Sequence, residues 1–294
     1  MRTLGIRVIL TATLVVAATL TSETKASAAE PVKTTISHQA WNGVQSNDGG
    51  WVDNPSCSRS LNAAVWEPAA SGRYPVAIVT VGTFGSITAP AYQELAREFG
   101  RQGFVAIVAD YNTEVITKPI DRMDRVKAKA NCTYKRSRPE SVMTKVCARA
   151  KADCTKGIVT SGHSQGGAMA VPGHDYDSRI AATHVWGTGN DVPVTTEMKS
   201  KTRVIAGEKD TAGKTPTDLN AMTGLNCDDQ WECFRPNGSG WRRVRDSEVT
   251  DGDADHCFTT YDGCSGPIDL KAMDASKNWS YPANVTWLKN FVTP

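Results

Sequence analysis

The sequence has no excess of charge of either sign and, after its first residues, no long apolar segment. Lys and Arg number 33 against 31 Asp and Glu, which gives a formal net charge of +2 over 294 residues. So small an excess provides no basic surface for a phosphate backbone, so we expect no nucleic-acid partner. Beyond residue 28 no stretch reaches the roughly 18 apolar residues of a membrane-spanning helix, so we expect no membrane insertion.

Metal-binding patterns are also missing. None of the eight cysteines has the C-x-x-C spacing that is common in zinc and redox sites. The acidic run at residues 251–255 is too short for an EF-hand loop and is interpreted as a solvated turn. We therefore predict neither a metal nor another cofactor.

Residues 1–28 have the pattern of a secretory signal peptide. Arg2 and Arg7 precede an apolar run of 13 residues at 8–20, and small residues follow at 26–28. Thirteen apolar residues are few for a bilayer span, so an uncleaved anchor is the less favoured interpretation. Without this segment the chain has 30 basic and 30 acidic residues. The sequence predicts a secreted, monomeric chain with one domain at 29–294.

Export also changes the interpretation of the eight cysteines, because disulfides persist in oxidising compartments. All eight lie after residue 28. Cys257 and Cys264 are candidates for one local bridge, and Cys227 and Cys233 for another. The other four would then pair among themselves.

Apolar, β-branched runs alternate with helical patterns along the chain. This alternation predicts an α/β fold with a mostly parallel twisted sheet and helices on both faces. The expected strands lie at 74–81, 104–110, 157–161, 180–186 and 202–206, with helices beginning near residues 90 and 282. Residues 111–156 and 211–255 do not fit the pattern, and we interpret them as insertions over the core.

The strongest chemical signal is Gly162-His-Ser-Gln-Gly166, directly after an expected strand. In a G-x-S-x-G motif the chain turns sharply from strand to helix and projects the serine hydroxyl above the sheet. A glycine-rich turn without catalytic function is the alternative. The strand before it and the small residues after it favour Ser164 as a nucleophile.

A serine nucleophile needs a base, and in this arrangement the chain order is serine, acid, histidine. His256 is the only one of five histidines that lies late enough to follow such an acid. Asp210 is the preferred acid because it follows the strand at 202–206, where a side chain is held rigidly. The alternatives are Glu208, Asp251, Asp253 and Asp255.

The same geometry predicts where an oxyanion would be stabilised. One donor is the backbone N–H of Gln165, the residue after the nucleophile. The other is the backbone N–H of Thr83 or Phe84, in the loop after the strand at 74–81.

The order of these segments resembles the α/β-hydrolase superfamily. The similar stretches are Tyr-Pro-Val-Ala-Ile-Val, Arg-Gln-Gly-Phe-Val-Ala-Ile-Val-Ala-Asp, Gly-His-Ser-Gln-Gly-Gly, Gly-Glu-Lys-Asp and Ala-Asp-His. More narrowly, about residues 60–294 are similar to the branch with cutinase-like polyester hydrolases, chlorophyllase-like esterases and dienelactone-hydrolase-type enzymes. The resemblance implies Ser164, Asp210 and His256 as the triad and Trp186 as a substrate contact.

Together these features predict a secreted serine hydrolase that cleaves carboxylic esters through an acyl-enzyme, with a small or polymeric ester as its substrate. A secreted peptidase or acyltransferase with the same triad is one alternative. A catalytically silent binding protein with this fold is the other.

Overall fold

The computed structural model describes residues 29–45, 50–111, 119–189, 193–212 and 215–294. The predicted signal segment at 1–28 lies outside these residues. Within them the strands form one sheet, in the order β1-β2-β4-β3-β5-β6-β7-β9-β8. The strands are β1 (Val32–Trp41), β2 (Cys57–Glu67), β3 (Val76–Thr80), β4 (Val105–Ala109), β5 (Ile158–His163), β6 (Ile180–Trp186), β7 (Thr202–Gly207), β8 (Glu232–Phe234) and β9 (Gly240–Val244).

The centre of this sheet is parallel and its edges are antiparallel. Strands β4, β3, β5, β6, β7 and β9 run in one direction. At one edge β2 pairs antiparallel with β4 and β1 with β2, and at the other edge β8 pairs antiparallel with β9. Every residue of β3, β4 and β5 is buried. The apolar runs of β3 and β4 are typical of a parallel sheet covered on both faces, whereas β5 also buries Thr160, Ser161 and His163.

Helices connect and cover the strands. They are α1 (Pro90–Arg101), α2 (Pro119–Tyr134), α3 (Val142–Cys147), α4 (Gln165–Ala170), α5 (Gly173–Tyr176), α6 (Thr196–Lys199), α7 (Pro216–Thr223) and α8 (Tyr281–Lys289). The predicted face of α1 is buried, because Tyr92, Leu95, Ala96 and Phe99 recur with helical spacing. None of the helices in the described residues combines the length and hydrophobicity needed to cross a bilayer.

The two segments interpreted as insertions contribute to the core. Helix α2 connects β4 to β5 and packs against β1 and α4, so it is a crossover of the sheet and not an addition above it. The segment 211–255 contains α7 and also β9, which pairs in parallel with β7. Their patterns were obscured by polar residues such as Lys129, which is buried, and by Arg242 and Arg243 within β9.

Four disulfides join the eight cysteines. They link Cys57 to Cys132, Cys147 to Cys154, Cys227 to Cys233, and Cys257 to Cys264. The last two are the local pairs that the sequence suggested. The first ties α2 to β2 across 75 residues of chain.

Candidate active site

Ser164 occupies the sharp turn between β5 and α4. Its φ of 53° and ψ of −125° lie in a region that residues with a side chain rarely adopt. The turn is held from both sides: the Ser164 N–H donates to the Trp186 carbonyl at 3.0 Å, and the Ala168 N–H donates to the Ser164 carbonyl at 3.0 Å. A strained residue fixed by its surroundings is typical of a functional position.

The glycines of the motif allow this turn to form. A Cβ on Gly162 would lie 2.5 Å from the carbonyl carbon of Gly166. A Cβ on Gly166 would lie 2.1 Å from the Val81 carbonyl oxygen. Any side chain at either position would push the start of α4 away from β3 and β5, so the spacing of the motif follows from steric contact.

His256 and Asp210 lie together beyond the carboxyl end of β7. Asp210 follows β7 and presents a fully buried carboxylate, whose Oδ1 is 3.0 Å from Nδ1 of His256. The His256 side chain is about one-third exposed, at 32%. A carboxylate on Nδ1 fixes the tautomer in which Nε2 is free to accept a proton.

The other carboxylates considered as the acid have different partners. Glu208 accepts a hydrogen bond from the Asp246 N–H at 2.9 Å. Asp253 forms an ion pair with Lys209 at 3.1 Å. Asp255 accepts from the Cys257 N–H at 2.6 Å, and burial raises the pKa of Asp255. Asp251 accepts from the Asp253 N–H at 3.1 Å, so among these acids Asp210 is the one that contacts the imidazole.

The loop after β3 approaches Ser164. The Gly85 N–H donates to the Gly82 carbonyl at 2.9 Å, which closes a tight turn around Thr83 and Phe84. Phe84 has a positive φ of 60° and its side chain projects outward, 75% exposed. A Cβ on Gly82 would lie 3.4 Å from the Cβ of Ser164, so the start of this turn lies beside the serine.

Gln165 begins α4, and its side chain has a partner that the sequence did not indicate. Nζ of Lys129, on α2, donates to Oε1 of Gln165 at 2.9 Å. Lys129 is 1% exposed, and its ammonium lies 5.4 Å from the Tyr111 ring centroid and 6.0 Å from that of Trp41. No spacing in the sequence relates Lys129 to the nucleophile, because the contact depends on the docking of α2 against α4.

Trp186, the last residue of β6, is part of the buried core. It is 2% exposed and stacks on His163, with ring centroids 5.5 Å apart. With Tyr92 and Cys257 it lines only a narrow crevice. Tyr92 on α1 and Tyr281 on α8 also pack against the indole, with ring centroids 6.0 and 5.9 Å away.

The one group of three potential metal ligands found among the described residues is His163, Cys257 and Cys264. Both cysteines belong to a disulfide, so neither can provide the thiolate that coordinates a metal. The cluster is therefore structural.

A mostly parallel sheet with a strained serine directly after β5 and a carboxylate–histidine pair beyond the end of β7 is typical of the α/β-hydrolase class. The dienelactone hydrolase family matches residues 61–264, and the chain belongs to this family of hydrolases. No curated protein matches the chain closely enough to be called a relative.

Proposed function

We propose that the protein is a carboxylic-ester hydrolase that acts through an acyl-enzyme on Ser164. The Ser164 hydroxyl attacks the ester carbonyl while Nε2 of His256 accepts its proton. Asp210 orients the imidazole and stabilises the imidazolium that forms. His256 then protonates the leaving alcohol. In the second half of the reaction His256 accepts a proton from water, which attacks the acyl-enzyme, and the carboxylic acid is released from Ser164.

The oxyanion of each tetrahedral intermediate would be stabilised by backbone N–H groups. We assign these to Gln165 at the start of α4 and to Thr83 or Phe84 in the turn after β3. Such donors act strongly because they are held in place before charge develops. The exposed ring of Phe84 provides an apolar surface beside them, which favours a substrate with an apolar acyl or alcohol group.

The observation that carries this proposal is the hydrogen bond that Nδ1 of His256 donates to the Asp210 carboxylate, at the side of the sheet formed by the strand carboxyl ends, where the strained Ser164 also lies. A surface ion pair would not require a fully buried carboxylate. A turn without function would not require a serine at positive φ, where glycine fits without strain.

Replacing Ser164 with alanine tests the proposal directly. Ser164→Ala should reduce p-nitrophenyl acetate hydrolysis to background, because the nucleophile is lost. Ser161→Ala is the matched control on the same strand, since the Ser161 hydroxyl bonds to Nδ1 of His184 at 2.9 Å. It should keep the wild-type kcat. Full activity in Ser164→Ala would reject the assignment.

Two further measurements separate the ester hydrolase from its alternatives. A fluorophosphonate should label Ser164 of the wild-type protein, whereas a silent binding protein would not react. Activity on short esters with none on peptide substrates would distinguish the enzyme from a peptidase. Transfer of the acyl group to an added alcohol in place of water would indicate an acyltransferase.

We also propose that the enzyme works outside the cytoplasm. Four disulfides, with no free cysteine among the described residues, support this setting. The N-terminal pattern at residues 1–28 supports it independently.

A further inference from the structure

A second histidine, His163, lies directly before the nucleophile and has no place in the proposed triad. It is 4% exposed, and each ring nitrogen faces a different segment of the chain. Nδ1 is 3.1 Å from the hydroxyl oxygen of Tyr92 on α1, and Nε2 is 2.9 Å from the carbonyl oxygen of His256. The same Tyr92 oxygen is 2.7 Å from the backbone nitrogen of Gly82.

The donors and acceptors fix the direction of each hydrogen bond in the series Gly82–Tyr92–His163–His256. The Gly82 N–H can only donate, so the Tyr92 oxygen accepts from it. The His256 carbonyl can only accept, so His163 must carry its proton on Nε2. A neutral imidazole then accepts at Nδ1, and the Tyr92 hydroxyl supplies the proton for that bond. Burial raises the pKa of Tyr92 to about 12, so the hydroxyl keeps its proton near neutral pH.

The surroundings leave the imidazole no room to rotate. Its ring stacks on Trp186 with an interplanar angle of 28°. A Cβ on Gly82 would lie 2.7 Å from Nδ1, so the loop approaches the ring as closely as glycine permits. On its other side the ring centroid is 4.7 Å from that of His256.

We propose that Tyr92 and His163 are positioning residues that hold the two halves of the active site in register. This inference rests on the proposed function. Tyr92 fixes Gly82, whose neighbour Thr83 is a candidate oxyanion donor. His163 fixes the main chain of His256, which carries the base. One hydrogen-bonded chain therefore sets the distance between the oxyanion turn and the imidazole, without either side chain touching substrate.

The test removes one hydroxyl and keeps the ring. In Tyr92→Phe both the Gly82 N–H and Nδ1 of His163 lose their partner. We expect kcat for p-nitrophenyl acetate to fall ~10- to 100-fold, the usual effect of small misplacement of catalytic groups. The KM should stay within about twofold because the substrate surface is unchanged.

The matched control is Tyr176→Phe, which removes a tyrosine bond to the Lys127 carbonyl at 3.0 Å on α2. It should lower the melting temperature about as much as Tyr92→Phe while leaving kcat unchanged. If Tyr92→Phe keeps the kcat of this control, the positioning role is wrong. The positioning role is also wrong if the double variant Tyr92→Phe/His163→Phe loses as much kcat as the two single losses combined. The effects of residues that act through one hydrogen-bond network should not be additive.

A spectroscopic measurement tests the bridge without reference to activity. Nitrogen-15 NMR of the wild-type protein at pH 7 should show His163 as the tautomer protonated at Nε2. In Tyr92→Phe the Nδ1 resonance should shift as its donor disappears. A wild-type ring protonated at Nδ1 would overturn the proposal. An active Ser164→Ala would instead reject the proposed function while the tautomer remained as described, so the two failures are distinguishable.

Discussion

At the scale of single residues, the contact between Lys129 and Gln165 places a buried lysine beside the residue that follows Ser164, the proposed nucleophile. Burying an ammonium is costly unless its donors find acceptors. Here the Gln165 amide oxygen at 2.9 Å and the two aromatic rings offset part of that cost. The contribution of the Gln165 side chain to stability should therefore depend on the buried ammonium of Lys129.

This dependence predicts a coupling between the two residues. Gln165→Leu should lower the free energy of unfolding by ~2 kcal/mol, the usual scale for a hydrogen bond to a charged group. In a Lys129→Met background the same substitution should cost clearly less, because no buried ammonium loses an acceptor. Urea denaturation of the four proteins measures the difference. Equal costs in both backgrounds would show that the contact contributes no energy.

At the scale of elements, the sequence predicts the central strands, which are rich in apolar and β-branched residues, and the helix with one regular apolar face. The central strands and the buried face of α1 follow from local patterns. Strand β9 does not, because Gly240–Val244 contains two arginines and joins the sheet only by pairing with β7. Helix α2 was missed because its buried face includes Lys129, Asn131 and Thr133.

The same distinction holds for the site. The turn at Ser164 is predictable because a local motif encodes it, and His256 could be proposed as the base because chain order leaves few choices. The contacts of His163 and Lys129 depend on the packing of α1 and α2 against the elbow. Trp186 followed only from the family resemblance, and its role as a substrate contact stays a prediction for a side chain that is 2% exposed.

The disulfide between Cys257 and Cys264 lies in the loop that carries His256, the proposed base. It closes a loop of the chain with a sequence separation of 7, directly after His256. Removing it as Cys257→Ala/Cys264→Ala should lower stability by ~2–3 kcal/mol, as expected for so short a loop. We also expect kcat to fall, because the backbone that presents the imidazole loses its covalent link.

The bridge between Cys227 and Cys233 provides the control for this prediction. Its sequence separation is 6, so its removal should destabilise the protein by a similar amount. It lies beside β8, so Cys227→Ala/Cys233→Ala should keep the wild-type kcat. Ester hydrolysis and thermal melting of both double variants decide the matter. Equal losses of activity would mean that the bridge next to His256 has no special role.

At the scale of the whole molecule, the sheet buries histidines both on its edge strand β1 and on the central strand β6. His38 on β1 and His184 on β6 are each 1% exposed. Burial lowers the pKa of His38 to about 4 and that of His184 to about 3. Both are neutral in the folded state at a pH where they would already be protonated in the unfolded chain.

This difference predicts a loss of stability in mild acid. Below the unfolded pKa of about 6.5 the unfolded chain binds a proton that the folded protein excludes, so the free energy of unfolding falls as pH falls. Between about pH 6 and pH 4 each histidine contributes a slope of ~1.4 kcal/mol per pH unit. The joint slope of the two is therefore about 3 kcal/mol per pH unit. His38→Leu should reduce their joint slope by about half, because His184 still titrates.

Urea denaturation of the wild type and of His38→Leu from pH 8 to pH 4 measures this difference. If the free energy of unfolding falls equally steeply in both proteins below pH 6, His38 does not control acid stability. If it falls less steeply in the variant below pH 6 and has the same slope in both proteins above pH 7, the effect comes from this buried imidazole.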